Sequence, residues 1–125
     1  MALLSEAQLG AGDAAAARAS ADVAVDLARR YRRPISEIGA HLVRSRALVA
    51  SGDGGAEEAL ASAQALVERT GTAMFSPFLA VVRADLAARL GDDAARDQAL
   101  CEAERGFQSI GATTRAAAVA RLRGA

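Results

Sequence analysis

Gly52-Asp53-Gly54-Gly55-Ala56-Glu57-Glu58-Ala59-Leu60 is the stretch on which the reading of this chain turns. A run of helix formers precedes it and another follows. Glycine leaves a helix through left-handed backbone at no steric cost, so the glycines mark a stop. Glu57 and Glu58 then sit where the first turn of a new helix favours negative charge. The stretch reads as helix, turn, helix. Its Gly-Asp pair recurs as Gly12-Asp13, Gly52-Asp53 and Gly91-Asp92, at spacings of 40 and 39 residues. A fixed period of that size, with each turn between helical segments, marks a stack of hairpins that share a core because none buries its apolar face alone.

Working outward from that stretch, the remaining glycines and the prolines cut the chain into segments of helical length. Ala, Leu, Arg, Glu and Gln dominate these segments and lose little side-chain freedom in a helix. A first helix is predicted over Ala2 to Leu9, closed by Gly10-Ala11-Gly12-Asp13. A second runs from about Asp13, well placed as N-cap, to Arg32, with Pro34 stopping it. The third covers Ile35 to about Ser51, and the fourth Ala56 to Thr70 with Gly71 just beyond. The fifth covers about Met74 to Leu90, the sixth Asp93 to Ile110, and a last one Thr113 to about Arg123. Apolar residues at spacings of three and four support this: Phe75, Phe78, Leu79, Val82, Leu86 and Leu90 in the fifth, and Leu100, Ala103, Phe107 and Ile110 in the sixth. Val23, Leu27 and Tyr31 are the expected stripe of the second helix, and Leu60, Ala63, Leu66 and Val67 that of the fourth. No segment alternates β-branched residues between turn signals, so strands are not expected. The fold class is therefore all-α, about six or seven helices in antiparallel hairpins. Residues 1–125 are read as one domain with repeats at roughly 1–33, 34–71 and 72–111 and a capping helix over 112–125.

Composition narrows the function. Fifteen basic and fifteen acidic side chains cancel, whereas a nucleic-acid surface shows a basic excess, so no direct nucleic-acid binding is expected. All fifteen basic residues are Arg, and there is no Lys or Asn, which with the heavy Ala usage looks like a GC-rich bacterial genome. Tyr31, Phe75, Phe78 and Phe107 are the only aromatics, too few for base-stacking platforms or aromatic cages. A single cysteine, Cys101, forms no internal disulfide and fits a reducing cytoplasm. The N-terminal apolar run lacks a basic region and does not read as a signal peptide. No stretch approaches the ~18 apolar residues of a membrane span, so no membrane partner is expected.

The turn and helix start at Gly54-Gly55-Ala56-Glu57-Glu58-Ala59-Leu60 resemble those of a tetratricopeptide (TPR) repeat, where a Gly-Asp turn leads to acidic residues and a small Ala at which two helices close. Gly12 with Ala17 and Leu90-Gly91-Asp92 repeat the pattern. Ala65-Leu66-Val67-Glu68-Arg69-Thr70-Gly71, followed by Leu90-Gly91-Asp92 and Ser109-Ile110-Gly111-Ala112, is similar to the TPR-like tails of bacterial signalling ATPases, adenylate-cyclase-like regulators and maltose-regulator-like transcription factors. Repeats there run about forty residues instead of the standard ~34. The resemblance covers nearly the whole chain. It implies hairpins stacked as an α-α superhelix and a scaffolding or regulatory role, with catalytic or DNA-binding domains elsewhere on a longer chain. The chain is then either a piece of something larger or a small protein whose terminal helices act as caps.

Individual residues offer few sites. His41 and Cys101 lie on different predicted helices without metal-ligand spacing, so His41 is expected to be a partly exposed helix residue and Cys101 to pack beside Leu100 as a small apolar group. There is no Gly-x-Ser-x-Gly elbow, and the glycines at 52–55 lack the Lys of a phosphate loop. No catalytic, cofactor-binding or metal-ligating residue is expected, and no cofactor. Arg29-Arg30-Tyr31-Arg32-Arg33 is the most distinctive local feature, either a solvated helix end or an anion-binding patch for an acidic protein segment or a phosphate. Residues 18–46 carry a net +4 and residues 85–104 a net −4, which favours self-association, a dimer included, if the patches meet. On the TPR analogy His41, Arg44, Phe78 and Asp85 project into a groove, Phe78 having a competing place in the apolar stripe. The candidate interaction surface is Arg29, Arg30, Arg32, Arg33, His41, Arg44, Phe78 and Asp85. The function expected is a non-enzymatic protein-interaction or regulatory scaffold in the bacterial cytoplasm. The rival reading is an effector sensor that binds a small molecule in the superhelical cavity.

Overall fold

A computed structural model of the chain describes residues 14–52 and 54–124. The helix expected over Ala2 to Leu9, its Gly10–Asp13 closure and the capping role of Asp13 lie outside the described residues, as does Asp53. Among the described residues the protein is all-α, with six α-helices, one short 3-10 turn and no strand. No described helix is long and apolar enough to cross a membrane. The helices group into two compact units, one within residues 1–70 and one within residues 71–125.

In the first unit α1 (Ala14–Arg30) packs on α2 (Pro34–Ser51), and α2 packs on α3 (Ala56–Thr70). Residues 31–33 alone join α1 to α2, so the two run antiparallel. Pro34 opens α2 at a position where its missing N–H costs nothing. Gly52 closes α2 in left-handed backbone at φ 75°, and its N–H reaches the carbonyls of Leu48 and Val49. The core side of α3 is as the periodicity predicts, with Leu60, Ala63, Leu66 and Val67 buried.

Helix α1 departs from its expected stripe. Val23, Leu27 and Tyr31 are exposed, and the buried face is Ala17, Ala21, Ala24, Val25 and Ala28. Ala17, Ala21, Ala24 and Ala28 follow one another at four, three and four residues, a helical stripe of methyl groups. Helix axes approach more closely across small side chains than across Leu or Tyr. Burying the Ala face therefore packs α1 tightly on Ala40 of α2, with which Ala24 and Val25 form a cluster. The large side chains are left on the opposite side.

In the second unit a 3-10 turn (Ala73–Phe75) leads into α4 (Ser76–Arg89), which packs on α5 (Asp93–Ser109), and α5 packs on α6 (Thr113–Gly124). The core joins Ala80 and Ala84 of α4, Leu100, Ala103 and Phe107 of α5, and Ala116 and Val119 of α6. Two ends of the expected stripes fall outside it, because Leu90 and Ile110 sit at helix C-termini and are 68 % and 46 % exposed. Gly106 is a point of tight approach between α4 and α5: a Cβ added there would lie 2.9 Å from Cβ of Pro77 and 3.0 Å from its Cγ.

The Gly-Asp motif has a physical meaning at residues 91–92. Gly91, at φ 75°, ends α4 with its N–H on the carbonyl of Ala88, while the Asp92 N–H reaches back to Ala87. Asp92 then opens α5, its Oδ1 accepting from the Ala95 N–H at 3.0 Å. One residue stops a helix and the next starts another. The same double hydrogen bond ends α5 through Gly111 and Ala112, and ends α1 through Arg32 and Arg33. In α1, however, the left-handed position belongs to Arg32, at φ 52°, the one described non-glycine residue with positive φ.

Candidate functional site

The first hairpin concentrates the polar chemistry of its unit. Glu37, in the first turn of α2, is nearly buried, and its Oε2 receives two donors. Arg29 Nε donates from the end of α1 at 3.1 Å, and His41 Nε2 lies 3.1 Å away from one turn further along α2. A carboxylate beside a guanidinium only accepts, so the imidazole proton sits on Nε2. His41 is 1 % exposed, which corrects the expectation of a partly exposed residue projecting into a groove. The i, i+4 spacing places the Glu37 carboxylate beside it, and that acceptor offsets part of the cost of burying the ring. Its Nδ1 is buried without a partner. Burial pushes the imidazole's pKa below its ordinary 6.5, and the neighbouring Glu37 only partly offsets that. Ser45, a further turn along and fully buried, donates to the Leu42 carbonyl at 2.7 Å.

Arg44 is half-buried, with Nε 2.9 Å from Asp22 Oδ1 of α1, an ion pair by distance whose N–H is not aligned as a hydrogen bond. Arg29 and Arg44 thus tie the hairpin together. Arg30, Arg32 and Arg33 are exposed, with no carboxylate partner among the described residues. The five-residue basic run therefore divides: Arg29, though 59 % exposed along its side chain, is paired with Glu37, and the other three arginines stand in solvent around Tyr31, itself 65 % exposed. Ile35, at the start of α2, is exposed close by in the chain, and Val23 and Leu27 continue the apolar side chains along α1.

The candidates of the second unit are structural. Phe78 meets Phe107 edge to face at 5.0 Å between ring centres, and the Arg115 guanidinium lies 4.8 Å over the Phe78 ring. Its place in the apolar stripe thus prevails over the projecting role. Asp85 is exposed and already engaged with a neighbour. Cys101 is half-buried, as its place beside Leu100 implies, and Arg123 Nη1 lies 3.2 Å from its sulfur while also pairing with Glu104 at 2.6 Å. An open groove of about 220 Å³ runs over Met74, Pro77, Ala80, Gly106 and Ile110, with the Arg83–Glu102 pair, 3.4 Å apart, beside it. Among the described residues no group of three or more His, Cys, Asp or Glu is placed to hold a metal ion.

No family model matches the chain, and no curated protein or solved structure does either. What remains to read is the geometry. It brings Arg29, His41 and Arg44 into one hairpin through Glu37 and Asp22, two acids that the sequence reading counted only as charges. The signal was present for Glu37, whose spacing to His41 puts both on one helix face. Among the described residues the hairpin tip exposes Arg30, Tyr31, Arg32 and Arg33, an aromatic ring with three guanidinium donor forks.

Proposed function

We propose that this chain is a non-enzymatic protein-interaction module whose contact surface is the tip of the α1–α2 hairpin. One observation carries the reading. The imidazole and the carboxylate best suited to chemistry are buried and engaged with each other, while Tyr31 and three arginines with no carboxylate partner among the described residues stand exposed. Tyr and Arg are the residues that dominate binding energy at protein interfaces. The Glu37 network beneath fixes the base of the tip, so less freedom is lost when a partner docks. The TPR-like resemblance points the same way, toward a scaffold in a bacterial regulator. An effector-binding role would draw on the groove of the second unit. The groove of the second unit, at about 220 Å³, is smaller than the ~300 Å³ from which ligand pockets usually start.

The test is site-specific photo-crosslinking in the cells that make the protein. A photoreactive residue at Tyr31 should yield an adduct of defined mass, and one at exposed Glu68 of α3 should not. Arg30→Glu with Arg33→Glu should abolish the Tyr31 adduct. No adduct at Tyr31, or one indifferent to the charge reversal, would overturn the proposal.

A further inference from the structure

The two most exposed large apolar side chains among the described residues are Leu90, at 68 %, and Tyr31, at 65 %. Each lies beside charge mostly of one sign, although exposed Arg89 directly precedes Leu90. Tyr31 is set among Arg30, Arg32 and Arg33. Leu90 ends α4 at the turn that opens α5, where Asp92, Asp93 and Asp97 follow, all exposed. Asp93 and Asp97 are one helical turn apart and share a face of α5. Arg96 has Nη2 on the Leu122 carbonyl at 3.2 Å and Nη1 3.9 Å from Asp97, while Asp93 has no ion pair among the described residues. Both surfaces are fixed by backbone capping: a double hydrogen bond from Arg32 and Arg33 closes the first, and the Gly91-Asp92 pair closes the second.

We infer that the partner of the basic tip is a second copy of this chain, which receives it on its acidic α4–α5 turn. This deepens the proposed function and rests on it. Tyr31 of one copy meets Leu90 of the other, and the arginines meet Asp93 and Asp97. Every copy carries both surfaces, so the contact repeats reciprocally or head to tail. Opposite charge steers the encounter, and the small apolar contact keeps the complex weak and reversible.

A charge swap tests it by sedimentation of the full chain. Wild type should associate at low salt, and its affinity should drop at least roughly tenfold between about 50 and about 500 mM salt as screening shortens. Variant one, Arg30→Glu with Arg33→Glu, has two acidic surfaces; variant two, Asp93→Arg with Asp97→Arg, has two basic ones. Each should sediment as a monomer alone. An equimolar mixture should associate again, because each acidic surface then faces a basic one, and that recovery also shows that both variants are folded. A monomeric wild type, an association untouched by either reversal, or a mixture that stays monomeric would overturn the inference. If these fail while Tyr31 still crosslinks to a different protein, the interaction module stands and only the second copy is excluded as its partner.

Discussion

Gly39→Ala and Gly106→Ala are the same chemical change in two helices, and the structure gives them opposite consequences. Each replaces a glycine inside a helix, where alanine is favoured by about 0.8–1.0 kcal/mol because less backbone freedom is lost on folding. At Gly39 of α2 an added Cβ meets nothing within 4 Å, so the full gain should appear. At Gly106 of α5 it would stand 2.9, 3.0 and 3.3 Å from Cβ, Cγ and Cδ of Pro77. Pro77 is buried and ring-closed at the start of α4, so it cannot rotate away. Overpacking of this kind costs typically about 1–3 kcal/mol, which cancels or reverses the gain. Gly39→Ala should therefore stabilise by about 1 kcal/mol, while Gly106→Ala should fall between neutral and about 2 kcal/mol destabilising. Urea melts followed by circular dichroism resolve this, since about 1 kcal/mol moves a midpoint by roughly 0.5–1 M at a slope of about 1–2 kcal/mol per M. The glycines belong to different compact units, so each variant reports on packing within its own unit. Equal stabilisation by both variants would refute the close approach of α4 and α5 at Pro77.

Two further outcomes follow from the first hairpin. His41 is the only histidine of the chain, and its folded pKa is held below the ordinary 6.5 chiefly by burial. Above pH 6.5 the imidazole is neutral both folded and unfolded. As pH falls below 6.5 the unfolded chain takes up a proton that the folded one resists, so stability drops until the depressed folded pKa is passed, by at most about 1.4 kcal/mol per pH unit. Urea midpoints between about pH 7.5 and 5.5 should show this loss in wild type relative to His41→Gln, and parallel profiles would contradict the buried neutral imidazole. Arg32→Gly should raise the melting temperature, because left-handed backbone costs a residue with a Cβ about 1–2 kcal/mol and glycine's greater unfolded freedom cancels only part of that; a thermal melt with no rise would place Arg32 outside that backbone region.

Helix positions were legible in the sequence because their ends are written in residues with one steric meaning. Pro34 starts α2, Gly91 and Gly111 take the left-handed positions after α4 and α5, and Asp92 caps α5. The face of α1 was not legible in the same way. A search for a core favours large apolar side chains, and Val23, Leu27 and Tyr31 lie at the right spacing. In a chain this rich in alanine, though, a methyl stripe is as periodic and permits closer helices, and packing density decided for Ala17, Ala21, Ala24 and Ala28. The site was half legible for a related reason. The basic run announced itself by composition, yet which arginine is free depends on Glu37, which only the closed hairpin brings within 3.1 Å of Arg29. Arg29 and Arg30 are neighbours in sequence with opposite fates.

That inversion of α1 bears on what the chain does. A helix that buries four alanines and Val25 while exposing Val23, Leu27 and Tyr31 keeps its largest apolar groups in water. Single exposed apolar residues are ordinary on any surface. Here Val23 and Leu27 are one turn apart on a single helix face, and Tyr31 follows at its end among arginines without a carboxylate partner among the described residues. Folding α1 the other way round would put the large side chains inside, but it would hold α2 further off. Arg29 and Asp22, which sit at the hairpin seam with Glu37 and Arg44, would be drawn away from their partners. The two ion pairs and the alanine face therefore select the same orientation of α1, and the exposed apolar side chains are its consequence. A partner that covers them adds stability to an arrangement the hairpin has already fixed, so docking on this face should require no rearrangement of α1.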